Sequence, residues 1–305
     1  MTPSPEPEMR NESMRMFRPP AIITRRSTIG PLLGLALAMA APSIASAQTY
    51  DVIIRNGRVI DGTGNPWFLA DVALDGDRIA AMGDLRAARA ERDIDATGLY
   101  VTPGFIDAHS HAGPGLASSG LSHGEPLLAQ GITTVVINPD GGGSVDLARQ
   151  RRQLLRDGLG VNVAQLVPHG SVRRAILGAE DRAPSAAEME QMRGLVRRGM
   201  EEGAYGLSSG TFYVPGSYSH PDEIVDLAKI VATFGGTYTS HIRDESDYSV
   251  GLVAAVEEVI DVARRAGLPG VVTHVKALGP RVWGFGTVIT QRIEAAREEG
   301  VEVYT

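Results

Sequence analysis

Gly104-Phe105-Ile106-Asp107-Ala108-His109-Ser110-His111 is an apolar, strand-like run that ends in two histidines one residue apart. Side chains alternate across a β-strand, so His109 and His111 point to one face, with ring nitrogens close enough to share a metal ion or a pair of ions. The competing reading of so short a motif is a chance pair of histidines at an exposed strand end. What surrounds the run decides between them.

Downstream of Tyr100 the chain repeats an apolar strand, a loop and an amphipathic helix. Strands are expected at 131–137, 161–168, 205–209, 236–240, 270–273 and 301–304, and helices at 186–202, 222–234, 248–266 and 286–299. Such alternation specifies parallel strands covered by helices. With the histidine-bearing strand this makes about seven, against the eight of a closed (β/α) barrel. An open doubly wound sheet would need a Gly-rich phosphate turn after its first strand, and none stands there. The expected fold is therefore α/β: an incomplete (β/α)8 TIM-type barrel over residues 103–305. Residues 48–102 read as a small all-β unit, with strands at 51–55, 58–61, 71–74 and 78–82 and hairpin turns at Asn56-Gly57, Asp61-Gly62 and Asp75-Gly76.

The first 47 residues differ in kind. Arg25-Arg26-Ser27-Thr28-Ile29 leads into a 13-residue apolar run and then Ala45-Ser46-Ala47, the small-x-small form of a cleavage site. A membrane span needs roughly 20 apolar residues, so the run reads as a removable signal and leaves no membrane anchor behind. The paired arginines suit twin-arginine export to the periplasm or beyond, a Sec-type signal being the alternative. Removing it takes five of 29 basic and three of 36 acidic residues, leaving a net charge of about −9. That balance argues against nucleic acid or an anionic membrane as partner. There is no cysteine, so any metal must be held by nitrogen and oxygen.

Catalytic groups of (β/α) barrels sit at the carboxyl ends of strands. The first strand ends in His109 and His111, the second in Asn138-Pro139-Asp140-Gly141, the fifth in Ser240-His241-Ile242-Arg243-Asp244-Glu245 and the sixth in Thr273-His274-Val275-Lys276. Four of seven histidines thus fall on one face, which favours the metal reading over chance.

These segments, with Gln130-Gly131-Ile132-Thr133-Thr134-Val135-Val136 and Gly206-Leu207-Ser208-Ser209-Gly210, resemble the amidohydrolase superfamily, and within it the D-aminoacylases (N-acyl-D-amino-acid deacylases). The resemblance spans residues 50–305; the opening run from Tyr50 to Gly62 is similar to the family's N-terminal β-sandwich, which implies that residues 48–102 form that domain. It implies a metal-dependent hydrolase that cleaves an N-acyl-D-amino acid to a carboxylate and a D-amino acid. His109, His111, His241 and His274 match its metal ligands. A cysteine completes the zinc site in the resembling enzymes; Asp140 stands in its place, a harder ligand that admits manganese or iron beside Zn2+. Alternatively, Asp140-Gly141-Gly142-Gly143 is only a turn. Lys276 matches a residue that contacts the substrate carboxylate. Arg243, two residues after His241, faces the pocket if the strand continues, or else pairs with neighbouring acids. His169 and Tyr213 are further candidates for lining the substrate pocket. The family's proton carrier, an eighth-strand aspartate, is expected beyond Thr305, so the chain reads as a fragment whose own activity is in doubt. Hydrolysis of a hydantoin, a dihydropyrimidine or a β-linked dipeptide is the alternative within the superfamily. A non-catalytic truncated remnant is the alternative of another class.

Overall fold

The computed structural model describes residues 49–305; the expected export signal lies outside them. The elements in chain order are β1 (Thr49–Val59), β2 (Phe68–Asp75), β3 (Arg78–Gly83), β4 (Arg89–Asp95), β5 (Tyr100–Val101), β6 (Phe105–Asp107), α1 (Gly113–Leu116), α2 (Glu125–Leu128), β7 (Ile132–Ile137), α3 (Leu147–Leu155), β8 (Asn162–Pro168), α4 (His169–Leu177), α5 (Ala186–Glu201), β9 (Gly206–Gly210), α6 (Pro221–Thr233), β10 (Thr237–His241), α7 (Leu252–Ala266), β11 (Gly270–Val272), α8 (Gly286–Glu298) and β12 (Val303–Tyr304).

The first five strands make one mixed sheet in the order β3-β2-β1-β4, with β5 also on β1. Among the described residues this is a single sheet, not the two layers of a sandwich, and Leu69 and Ile79 stand exposed on it. Asp75 pairs with Arg78 across the two-residue loop Gly76-Asp77, the hairpin its sequence predicts. Asn56-Gly57, expected to be a turn, is instead a bulge inside one 11-residue strand, where the register to β2 shifts between Ile54 and Gly57. Asn56 takes the left-handed φ of 61° and its amide donates to Asp71 Oδ1 at 2.8 Å, so the turn-forming dipeptide bends the strand without reversing it. Gly57 is required there, because a Cβ would lie 2.4 Å from Val101 Cγ2. Gly57→Ala is therefore expected to lower stability to urea by about 1–3 kcal/mol, the usual range for overpacking, and Val101→Ala in the same chain to restore most of it.

The second sheet is parallel throughout and strictly sequential, β12-β11-β10-β9-β8-β7-β6, with helices between successive strands from β7 onward. This is the wall of a (β/α) barrel, seven strands of it among the described residues. Its outer layer follows helical periodicity: α7 buries Leu252, Ala255, Val256, Val259, Ile260, Val262 and Ala263, the i, i+3, i+4, i+7 stripe, against a core that includes Leu207, Ile224, Tyr238 and Val272. Ser185 caps α5 through a capping box with Glu188, and the His220 ring accepts the Asp222 amide at the start of α6. The α7 helix starts at Leu252, four residues later than its apolar pattern suggests. The Asp244 carboxylate accepts the amides of Ser246, Ser249 and Gly251 at 2.8, 2.6 and 3.0 Å, and this holds 246–251 as a loop.

Candidate metal centre

Every residue of the candidate centre comes from the carboxyl end of a barrel strand. His109 and His111 follow β6, where the Ser110 amide between them donates to Val136 O on β7 at 2.9 Å. His241 is the last residue of β10. His274 follows β11, which Thr273 pins to β10 by donating its hydroxyl to Ser240 O at 2.8 Å. Asp140 sits in the turn after β7, in which Asn138 and Asp140 both hold left-handed φ, 63° and 55°. Asn and Asp are the residues that tolerate this conformation best after glycine. Asn138 is fixed from both sides: it exchanges hydrogen bonds with Gln150 at 2.9 and 2.8 Å, and Ser208 donates to its carbonyl at 2.6 Å. The turn lies so close to β9 that a Cβ on Gly210 would come 2.2 Å from Asp140 O.

The result is a carboxylate ringed by imidazoles. Asp140 Oδ1 lies 3.3 Å from His109 Nε2, 3.6 Å from His274 Nε2 and 3.7 Å from His241 Nδ1, and Oδ2 lies 3.1 Å from His111 Nε2. Donors about 2.1 Å from a tetrahedral ion are about 3.4 Å apart, so these separations suit ligands around one or two divalent cations better than hydrogen-bonded partners. The bonding inventory agrees: His109 Nε2 and Asp140 Oδ1 are buried with no hydrogen-bond partner. Among the described residues, two donor groups close enough for a cation share one ring, His109-Asp140-His274 and His241-Glu245-His274. The residues present therefore fit a hard or borderline divalent metal.

Electrostatics point the same way. Burial pushes the His241 imidazole below its usual range, against the raising effect of Glu245 and Asp140, which keeps it neutral and able to bind metal. Burial opposes ionisation of Asp140, but the rings of His109, His241 and His274 around it outweigh burial and hold the carboxyl below the usual carboxylate range.

The other candidates separate. Tyr213 Oη is 3.3 Å from His241 Nδ1, and the tyrosine lines a cavity of about 700 Å³ together with His111, Asp140, Ser171 and Arg174. This volume lies within the range of small-molecule sites. Lys276 Nζ is in the centre too, bonded to Glu245 and 3.0 Å from His274 Nδ1. Arg243 does not face the cavity. β10 ends at His241, so strand alternation stops before Arg243, whose guanidinium turns to Glu258 at 2.7 and 2.8 Å and to the carbonyls of Ser217 and Ser219 at 2.9 and 3.0 Å. His169 does not line the cavity either. It is the first residue of α4, fully buried, with Nε2 2.8 Å from Glu223 Oε1; the next two residues, Gly170 and Ser171, reach the wall. Sequence reading placed Glu245 only in a charge cluster; it lies in the loop after β10, where a spacing of four from His241 predicts no contact.

Comparison with known proteins follows this geometry. The model of the amidohydrolase family matches residues 92–278. The chain is 38% identical to an N-acyl-D-glutamate deacylase of Alcaligenes xylosoxydans xylosoxydans, over 84% of this chain and 56% of the relative. It is 35% identical to a D-aminoacylase of the same organism, over 83% of this chain and 56% of the relative. The solved structure of N-acyl-D-glutamate deacylase from Bordetella bronchiseptica, complexed with zinc and a phosphonate mimic of the tetrahedral intermediate, superposes with a TM-score of 0.75 at 36% identity, over 84% of this chain and 58% of that one. The chain thus spans a little over half the length of these relatives. With the family model covering more than half of the sequence, and histidines gathered at the strand ends of its barrel wall, this chain belongs to the amidohydrolase family.

Proposed function

We propose that this centre serves the metal-dependent hydrolysis of an N-acyl-D-amino acid to a carboxylate and a D-amino acid, with zinc as its ion. The observation that carries the reading is the Asp140 carboxylate ringed by His109, His111, His241 and His274 at the mouth of a cavity sized for a small molecule. The choice of substrate and ion is supported by the deacylases and the zinc-containing structure to which the chain is similar. A bound divalent ion would supply water activated at neutral pH and polarisation of the scissile carbonyl.

The chain's own residues do the rest. Lys276, its side chain about half exposed, offers an ammonium to the substrate carboxylate beside the ligands. The Tyr213 hydroxyl, next to His241 on the cavity wall, offers a hydrogen bond to an oxygen of the substrate. Burial, with Asp140 and Glu245 nearby, raises its pKa and keeps it a protonated donor at neutral pH. An export signal at residues 1–47 and a periplasmic site of action are part of the same proposal; Arg25-Arg26 and the apolar run after it support them.

A second reading is a scaffold that binds metal without turnover. One assay separates the readings. The zinc-loaded protein is presented with N-acetyl-D-glutamate, N-acetyl-D-methionine, their L-enantiomers and a hydantoin, and product amine is measured. Turnover of the D-substrates alone is expected; turnover of the hydantoin alone would overturn the proposal, and bound zinc with no turnover of any compound would establish the scaffold.

A further inference from the structure

Two adjacent arginines of α4 point to different surroundings. Arg173 turns inward, where Glu223 and the Arg182 carbonyl accept from it. Gly170, Ser171 and Arg174, at i, i+1 and i+4 of the same helix, stand instead in the wall of the cavity beside the metal centre. Arg174 Nη2 donates to Val214 O at 2.9 Å, which holds the guanidinium one residue along the wall from Tyr213. The side chain is otherwise exposed and pairs with no carboxylate among the described residues, so most of its N–H donors are open to a ligand.

The fixed charge of the wall is one-sided. Arg174 is the one lysine or arginine among the described residues that line the cavity, and the one lining carboxylate, Asp140, faces the four histidines. Ser144, Gln150, Gln153 and Ser171 add neutral polar groups. A guanidinium keeps its charge at any working pH, and its planar fork matches a carboxylate. With Lys276 placed for the first carboxylate of the substrate, Arg174 is left for another. We propose that Arg174 sets specificity, and that the cavity takes an N-acyl amino acid carrying a second carboxylate, either on its side chain or at the far end of its acyl group. The inference rests on the deacylase reading above and narrows its substrate class.

The test measures binding to the zinc-loaded chain by titration calorimetry at low salt, with kcat/KM compared in the same way for any probe that is turned over. N-acetyl-D-glutamate carries the second carboxylate on the side chain, N-succinyl-D-methionine carries it on the acyl group, and N-acetyl-D-methionine has none. One of the first two is expected to be preferred over the third by roughly 10-fold, the low end for a hydrogen bond between charged groups because Arg174 is exposed. Which of the two is preferred tells side chain from acyl group. Arg174→Met, which keeps the apolar stem, is expected to erase the preference, and Arg174→Lys to keep part of it. A parent chain that prefers neither dicarboxylate, or a preference that survives in Arg174→Met, would overturn the role of Arg174 and leave the deacylase reading in place. A parent chain that binds none of the three probes would overturn both.

Discussion

Asp140→Asn is expected to lower the affinity of the chain for zinc by roughly 100-fold or more while leaving it folded. Losing a group that only supports a ligand costs about 10- to 100-fold, and Asp140 is the one carboxylate within 3.7 Å of all four histidines, so its loss sits at or above the top of that range. Asparagine is the informative replacement because it keeps the shape of the side chain and tolerates the φ of 55° that the turn imposes, where alanine would add backbone strain to the loss of a ligand. Bound metal measured by elemental analysis after dialysis against a weak chelator reads the effect. His111→Ala provides the scale: its side chain is 70% exposed, so its loss is expected to be the mildest of the histidine set. Metal content in Asp140→Asn equal to that of the parent would leave the 138–143 segment as a turn and nothing more.

Glu223→Leu is expected to cost about 3–5 kcal/mol of folding stability, the usual penalty for leaving a buried charge without its partner. Glu223 on α6 accepts from two fully buried side chains of α4: His169 Nε2 at 2.8 Å through one oxygen and Arg173 through the other. Arg173 also donates to the Arg182 carbonyl at 2.5 Å, so the cluster ties together two helices and the segment before α5. Burial disfavours the Glu223 carboxylate, yet its bonds to His169 and Arg173 bring the carboxyl below its usual range. A lowered folded-state value means that the stability it contributes is complete above the unfolded-chain value of about 4.3 and is lost as pH falls through the folded-state value. Urea titrations from neutral to acid pH should therefore show a shallower acid loss in Glu223→Gln than in the parent. Adding Arg173→Met to Glu223→Leu should recover much of the penalty; strict additivity of the two changes would disprove the coupling.

Much of this centre was legible in the sequence, because strand ends are where periodicity breaks, and a histidine just past an apolar run is easily seen. His109, His111, His241 and His274 are such cases, and the seven parallel strands follow from the same alternation. Asp140 stands in the turn that Asp-Gly announces, and from there its carboxylate faces the four histidines. Arg243 and His169 were misread for one reason: each lies at a strand end, and extrapolating the strand by a residue or two assigns a direction that the following loop or helix cancels. The β4 strand went unseen since Arg89, Glu91, Asp93 and Asp95 give it a charged face with little apolar counterweight. Nothing local to Glu245 announces its two rings, because they come from different strands and are joined only by the curl of the sheet.

Arg243, which never reaches the chamber, governs its shape. By gripping Glu258 on α7 and the carbonyls of Ser217 and Ser219, it fastens the segment that begins with Tyr213 to the outer ring of helices. One wall of the chamber is thus braced from the helical layer: a change at Glu258 touches no residue of the cavity lining, yet it is expected to loosen the wall on which Tyr213 rides.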